Sequence, residues 1–311
     1  MPTSLLPPDV TVLERGWLSS NNVLVHAPGG ADAVLIDSGH VTHAEQTVAL
    51  LRQALRGARL KRLLNTHLHS DHCGGNAAVV AAFGPLPTAV PPGSVEVVQR
   101  WDEASLSYRD TGQRCQRFGA DLALAPGSRV TLGGRPWEVI AAPGHDPDAV
   151  MLFDPLHGLL VSGDALWENG FGVVFPELEG DSAFDDVAAV LALIERLPVA
   201  TVVPGHGAPF SDMRGALARA HSRLASWRAA PRKHLRHAAK VMLKYHLMEE
   251  REQALPALLA WADATPLWQR LFARGGRDEA ASLPAWCTAL LGELVDGGAL
   301  AREGERVLDR A

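Results

Sequence analysis

Through its first two-thirds the chain alternates short apolar runs with stretches whose apolar positions recur every three or four residues. Residues 22–26, 33–37, 60–65, 137–142, 149–153, 158–162 and 201–203 have the length and β-branched content of strands. Residues 45–55, 75–82 and 184–197 carry helical spacing, and Ser182 offers a hydroxyl to cap the last of these. Gly133-Gly134, between Val130-Thr131-Leu132 and Trp137-Glu138-Val139, fits a two-residue hairpin turn and so predicts sheets that are partly antiparallel. Beyond Pro209 the strand pattern stops. Residues 214–228, 233–248, 253–262 and 284–295 have helical spacing, and Asp296-Gly297-Gly298 followed by Arg306-Val307-Leu308 resembles the turn and hairpin that close a winged helix. The expected organisation is a mixed α/β body over residues 1–213 and a mainly helical, winged-helix-like unit over residues 214–311.

Composition narrows the class. With 47% hydrophobic and 21% charged residues over 311 positions, the chain falls among ordinary globular proteins. Its longest clean apolar run, residues 187–194, is far short of the roughly 18 residues a membrane-spanning helix needs. Residues 1–8 are proline-rich, with neither a positive leader nor an apolar core segment, which gives a cytoplasmic expectation. Cys73, Cys115 and Cys287 are scattered and odd in number, unlike a disulfide framework. The net charge of −6 hides an asymmetry: residues 1–213 hold 13 Lys+Arg against 24 Asp+Glu, and residues 214–311 hold 16 against 11.

The candidate chemistry is concentrated in Thr66-His67-Leu68-His69-Ser70-Asp71-His72-Cys73-Gly74-Gly75-Asn76, between an expected strand and an expected helix. Imidazole and carboxylate suit divalent metals such as zinc, and clustered histidines without a metal would repel on protonation. Three further strand ends each supply one such residue beside a glycine: Pro143-Gly144-His145, Ser162-Gly163-Asp164 and Pro204-Gly205-His206-Gly207.

In kind and order these residues resemble the metal-ligand motifs of the metallo-β-lactamase superfamily, HxHxDH followed by His, Asp and His, over residues 10–210. The resemblance implies an αββα sandwich of two mixed sheets with the site along one edge. It also implies two divalent ions, zinc first and iron or manganese as alternatives: His67, His69 and His145 would hold one, Asp71, His72 and His206 the other, and Asp164 would bridge them. Two ions sharing a water generate a hydroxide at neutral pH that attacks a carbonyl or phosphoryl centre. Asp71 is then expected to orient that hydroxide as well as to ligate, and Thr66 to support a ligand from behind.

The Thr66–Asn76 string, together with Gly163-Asp164-Ala165-Leu166-Trp167 and Gly170-Phe171-Gly172, is most similar to the hydroxyacylglutathione hydrolase (glyoxalase II) branch. A small-molecule acyl thioester or ester is therefore the expected substrate. That branch follows its second glycine here with a Lys or Arg that clamps the glutathione carboxylate, whereas this chain has Val173-Val174. Trp167, Phe171 and Phe175 suggest instead an apolar wall suited to an acyl chain or aromatic group, with core packing as the alternative reading of each.

Two other functions compete. Residues 214–244 hold nine Lys+Arg and no Asp or Glu, a face that would suit RNA in an endoribonuclease, coenzyme A phosphates or an acidic partner, or that is simply solvated. The third reading is a binding module whose metal site only stabilises the fold. Cys73 is expected to be a packed small residue, the histidines outside the motifs (among them His234 and His246) to lie at the surface or in caps, and residues 93–121 to form an insertion near the site.

Overall fold

The apolar runs of the first two-thirds form two mixed sheets. In the computed structural model residues 5–310 are described; residues 1–4, which begin the proline-rich segment, and Ala311 lie outside the described residues. The first sheet has the order β1 (Val10–Leu13), β2 (Asn22–His26), β3 (Asp32–Ile36), β4 (Arg59–Leu64), β5 (Thr88–Val90), β6 (Leu122–Ala123). The second comprises β7 (Arg129–Leu132), β8 (Arg135–Ala141), β9 (Val150–Asp154), β10 (Leu159–Gly163) and β11 (Thr201–Pro204), neighbouring in chain order. Two compact units are present: residues up to Leu106 with Arg114–Glu177 and Asp181–Leu224 form one, and Ser107–Gln113, Leu178–Gly180 and residues 225–311 form the other.

The period-two alternation of side chains sorts the strands' apolar residues onto two faces. Val23, Val25, Ile36 and Leu64 point into a core shared with Trp137, Val139, Leu152 and Val161 of the second sheet. Leu24, Leu35 and Leu63 point the other way, onto Leu51, Leu55 and Val79 of helices Ala44–Leu55 and Asn76–Phe83. Both faces are buried, which is why these strands read as continuous apolar runs. The hairpin forms as expected: Leu132 pairs with Arg135, and Gly133 and Gly134 take φ of +58° and +74°, the left-handed pair that a type I′ turn requires.

Two local expectations are corrected. Ser182 does not cap helix Phe184–Arg196; Glu177 does, one carboxylate oxygen accepting from the amides of Ala183 and Phe184 at 2.7 Å each. A carboxylate also satisfies the partial positive charge of that helix end, which a hydroxyl cannot. Residues 253–262 are not one helix: β12 (Glu252–Ala254) pairs with β14 (Arg306–Asp309), and the helix Leu255–Ala264 starts only where Pro256 can take its first turn. Strand Val10–Leu13 and helix Pro266–Arg274 were not anticipated.

In the second unit, helices Pro231–Glu250, Leu255–Ala264, Pro266–Arg274 and Leu283–Asp296 accompany a three-stranded antiparallel sheet, β12-β14-β13, closed by the expected hairpin of β13 (Leu300–Glu303) and β14. Trp268 and Trp286 are fully buried in its core. His234 and His246 are not surface residues. They are buried, His246 stacked on Trp261 at 3.7 Å and His234 against Trp227 at 4.5 Å, and burial pushes the His234 imidazole down to about 3. Four of the nine cations of the basic stretch pair with acids of this unit: Arg232 with Asp278, Arg236 with Glu279 and Glu293, Lys240 with Glu293, and Lys244 with Asp309. Among the described residues no helix is long and apolar enough to cross a membrane.

The sheets' strand directions set up the site. β3 runs parallel to β4, and β8, β10 and β11 run the same way in the second sheet, so the loops leaving their C-terminal ends share an edge. The amide of Val150 donates to the carbonyl of Thr66 at 2.8 Å and joins the two sheets there.

Candidate metal centre

All seven residues expected as ligands meet at this edge. His67 and His69 lie on the loop after β4, Asp71 and His72 on the single turn Ser70–Cys73, and His145, Asp164 and His206 directly after β8, β10 and β11. Each is at most 8% exposed. So dense a set of buried polar groups demands compensation. Their ligating atoms form two groups, His67, His69 and His145 in one and Asp71, His72, Asp164 and His206 in the other, within 4.8 Å of one another. Asp164 faces both: one carboxylate oxygen is 3.3 Å from His145 Nε2, and the other is 3.4 Å from His72 Nε2 and 3.8 Å from His206 Nε2.

Hydrogen bonds behind the ligands fix which ring nitrogens face inward. His145 Nδ1 donates to the Val173 carbonyl at 2.5 Å, which leaves Nε2 with its lone pair toward the cluster. His72 Nδ1 donates to Asp37 at 2.8 Å and likewise turns Nε2 inward. Asp37 was missed by the sequence reading. Its carboxylate also accepts from the Thr66 amide at 2.9 Å and hydroxyl at 2.8 Å, so Thr66 acts on His72 chiefly through Asp37. Asp37 sits at φ +56°, a left-handed conformation unfavourable for a non-glycine residue and held here by these bonds. The readable signal was an acid ending an apolar strand before Ser38-Gly39, akin to Asp164 after Ser162-Gly163.

Two observations show that the residues fit metal ions. His67 Nε2 and His72 Nε2 are buried and make no hydrogen bond, an arrangement that coordination would satisfy. Charge is also distributed as a cation site requires. Burial holds His67 well below the ordinary imidazole range and brings His69 and His145 to about 4, so these three present neutral, ligand-competent rings. Burial works against ionisation of Asp71 and Asp164, but the nearby His72 and His206 outweigh it: Asp71 is held at about 2 and Asp164 well below its usual range. At His72 burial is likewise outweighed, by Asp164, Asp71 and Asp37, and the ring's affinity for positive charge rises.

Close packing leaves no room for side chains on two glycines. A Cβ on Gly205 would overlap the Asp164 carboxylate, and one on Gly172 the His145 ring. Asn21, also unanticipated, holds the third strand-end loop by donating to the carbonyls of Pro204 at 3.0 Å and Gly207 at 2.7 Å.

The expected apolar wall is partly corrected. Phe175 lies against His69 with ring centroids 4.9 Å apart, and Trp167 donates from Nε1 to Asp164 at 3.1 Å. Phe171 is only 2% exposed and lies beneath the Arg223 guanidinium, so it backs the wall rather than forming it. Trp17, unanticipated, lies beside the same cluster. It is 58% exposed, stacks nearly parallel on His206 at 5.5 Å and meets Trp167 edge-on at 5.5 Å.

Two mixed sheets carry on their common edge a His/Asp donor cluster suited to divalent metal, and comparison with known proteins identifies the family. The chain belongs to the metallo-beta-lactamase superfamily, whose family model matches residues 15–206. It is 32% identical over 193 residues to the hydroxyacylglutathione hydrolase of Synechococcus sp. (strain JA-3-3Ab), covering 62% of this chain and 65% of that one. The first curated relatives are spanned over about half to two-thirds of their length. Among solved structures, TTHA1623 in a di-iron-bound form is 28% identical, with a TM-score of 0.52 over 68% of this chain and 96% of that one. The metallo-beta-lactamase family protein TTHA1429 from Thermus thermophilus shares the fold over 99% of this chain and 100% of its own, with 21% identity and a TM-score of 0.57.

Proposed function

We propose that this chain is a dinuclear metal-dependent hydrolase of small acyl thioesters that favours apolar acyl groups. The observation that carries this reading is Asp164, whose two oxygens face separate ligand groups. In it His67, His69 and His145 hold one divalent ion, Asp71, His72 and His206 the second, and Asp164 both, with zinc first and iron or manganese compatible with the same donors. When bound, such ions acidify a water and polarise the carbonyl under attack. The chain's own residues do the rest. Asp71, whose side chain is 12% exposed against 5% for Asp164, is the more open carboxylate and accepts a hydrogen bond from the attacking water, which orients it. Trp17, Trp167 and Phe175 exclude water beside the histidines and offer flat apolar surface to the acyl group. The thioester class is supported by relatives named hydroxyacylglutathione hydrolase, and the preference for an apolar acyl group by the faces of Trp17, Trp167 and Phe175 beside His206 and His69. Val173 and Val174, both buried, stand where the resemblance expects the Lys or Arg that clamps glutathione, which disfavours a glutathione thiol. Pairing of Arg232, Arg236, Lys240 and Lys244 with acids of their own unit weighs against the RNA reading, which needs those charges for phosphate.

The test is thiol release by the metal-replete protein from acyl-coenzyme A esters of graded chain length and from S-lactoylglutathione. Turnover rising with acyl length and exceeding that of the glutathione ester is expected; no thiol release from any member would overturn the proposal. Trp17→Ala is expected to raise KM for the longest preferred acyl chain about tenfold, the loss of about 1.4 kcal/mol of apolar contact, with kcat nearly unchanged.

Asp37→Asn checks the support behind His72. Apparent metal affinity, measured by chelator competition, is expected to fall about 10- to 100-fold, with kcat largely restored at saturating metal. Unchanged affinity would remove Asp37 from the site.

A further inference from the structure

The strongest feature outside the ligand set is a pair of thiols. Cys73 and Cys115 are 42 positions apart in sequence, yet their sulfurs lie 3.8 Å apart and no disulfide joins them. Cys73 is fixed: it is fully buried on the turn that carries Asp71 and His72, and its Sγ donates to the carbonyls of Leu68 and His69 at 3.4 Å each. Cys115 is half-buried on an irregular stretch between helix Tyr108–Thr111 and β6, with few backbone bonds to hold it. A disulfide needs the sulfurs about 2.05 Å apart, so roughly 1.8 Å of approach suffices, and the irregular stretch can supply it. The third thiol is unsuited to such chemistry, since Cys287 is buried in the other unit and burial pushes it up to about 12.

We propose that Cys73 and Cys115 are an oxidative-modification site, at which a hydroperoxide converts the pair to a disulfide that ties the segment around Cys115 to the metal-ligand loop and lowers hydrolysis. The more accessible Cys115 attacks the peroxide: an S–O bond forms, the O–O bond breaks, and the departing oxygen takes the thiol proton to leave as water or an alcohol. Cys73 then attacks the resulting sulfenic acid, forming S–S and breaking S–O, and its proton leaves with the hydroxide as water. Two thiols are oxidised and one hydroperoxide is reduced. Exchange with a dithiol reverses the bond. The consequence for the site follows from chemistry and geometry, because a Cys73 sulfur joined to Cys115 has no S–H left to donate to the carbonyls of Leu68 and His69, within the ligand loop itself.

The loss of turnover rests on the hydrolase reading; the cross-link does not. The metal-loaded chain would be treated with hydrogen peroxide, alkylated and mapped by mass spectrometry without reduction, with thiol release measured in parallel. The expected result is a linked Cys73–Cys115 peptide, Cys287 recovered as thiol, and turnover lowered at least about tenfold and restored by dithiothreitol. Cys115→Ser should match the parent before treatment, form no link and keep its activity in peroxide. Recovery of Cys115 as a sulfinic acid without a link, or a link between chains, would overturn the proposal, as would equal inactivation of Cys115→Ser. A link with unchanged turnover would overturn the switch. If the untreated protein hydrolyses no thioester, the hydrolase reading fails and the peptide map alone decides the modification site.

Discussion

Asp71→Ala is expected to lower kcat for thioester hydrolysis by about 10³- to 10⁴-fold, because one residue both ligates an ion and orients the attacking water. Asp71 is placed twice over. Its backbone carbonyl accepts from the Ser20 amide at 2.9 Å, and its side chain accepts from His206 Nε2 at 2.9 Å, so the carboxylate is aimed rather than free to rotate. Truncation removes a ligand of one ion and the group that orients the attacking water, while His67, His69 and His145 remain intact around the other ion. The defect should therefore appear in kcat under saturating substrate and metal, with metal analysis still finding at least one ion per chain. Activity within tenfold of the parent, with both ions retained, would mean that Asp71 does not orient the water.

Most of the site was legible because its residues punctuate strands. An imidazole or carboxylate directly after an apolar run, beside glycine, identifies a strand end that must approach something closely, and His145, Asp164 and His206 were all found that way. The glycines have a steric cause that the sequence only hints at: Gly205 and Gly172 are small because Asp164 and His145 lie against them. Residues that act through another residue were less readable. Asp37 belongs to the same pattern but precedes no ligand motif, and its role exists only because parallel pairing of β3 with β4 brings it under Thr66 and His72. Trp17 sits in a loop of mixed polarity, and nothing local says that it stacks on a histidine almost two hundred positions later.

The errors have the same origin. Phe171 was assigned to the wall from its neighbours in sequence, but the chain turns it inward beneath Arg223. The run of basic residues left several readings open because the acids that pair with four of its members, Asp278, Glu279, Glu293 and Asp309, lie tens of positions away. His234 and His246 became core residues because tryptophans from elsewhere in the unit cover them. Local pattern identifies groups capable of chemistry; tertiary pairing decides which of them remain available.

The second large effect separates a bridged centre from two adjacent sites. Asp164→Asn keeps the shape of the side chain and can still accept from Trp167 Nε1, which is bonded at 3.1 Å in the parent, so the β10 loop should stay folded. What it removes is the negative charge held between His145 at 3.3 Å and His72 at 3.4 Å. With that charge gone, two cations facing one another lose the ligand that screens their repulsion. Metal content is expected to fall from two ions per chain to one or fewer, and kcat by about 10³-fold, equivalent to about 4 kcal/mol of lost transition-state stabilisation. Elemental analysis and thiol release on one preparation, with circular dichroism as the folding control, would measure all three. If the variant retains two ions and turns over at the parent rate, the two groups are independent sites, and a shared water attacking the acyl carbon no longer explains hydrolysis. If metal content and kcat fall together in a folded protein, the carboxylate couples the ions, and β10 and β11 lie side by side so that His206 can join His72 on one side of Asp164 while His145 lies on the other.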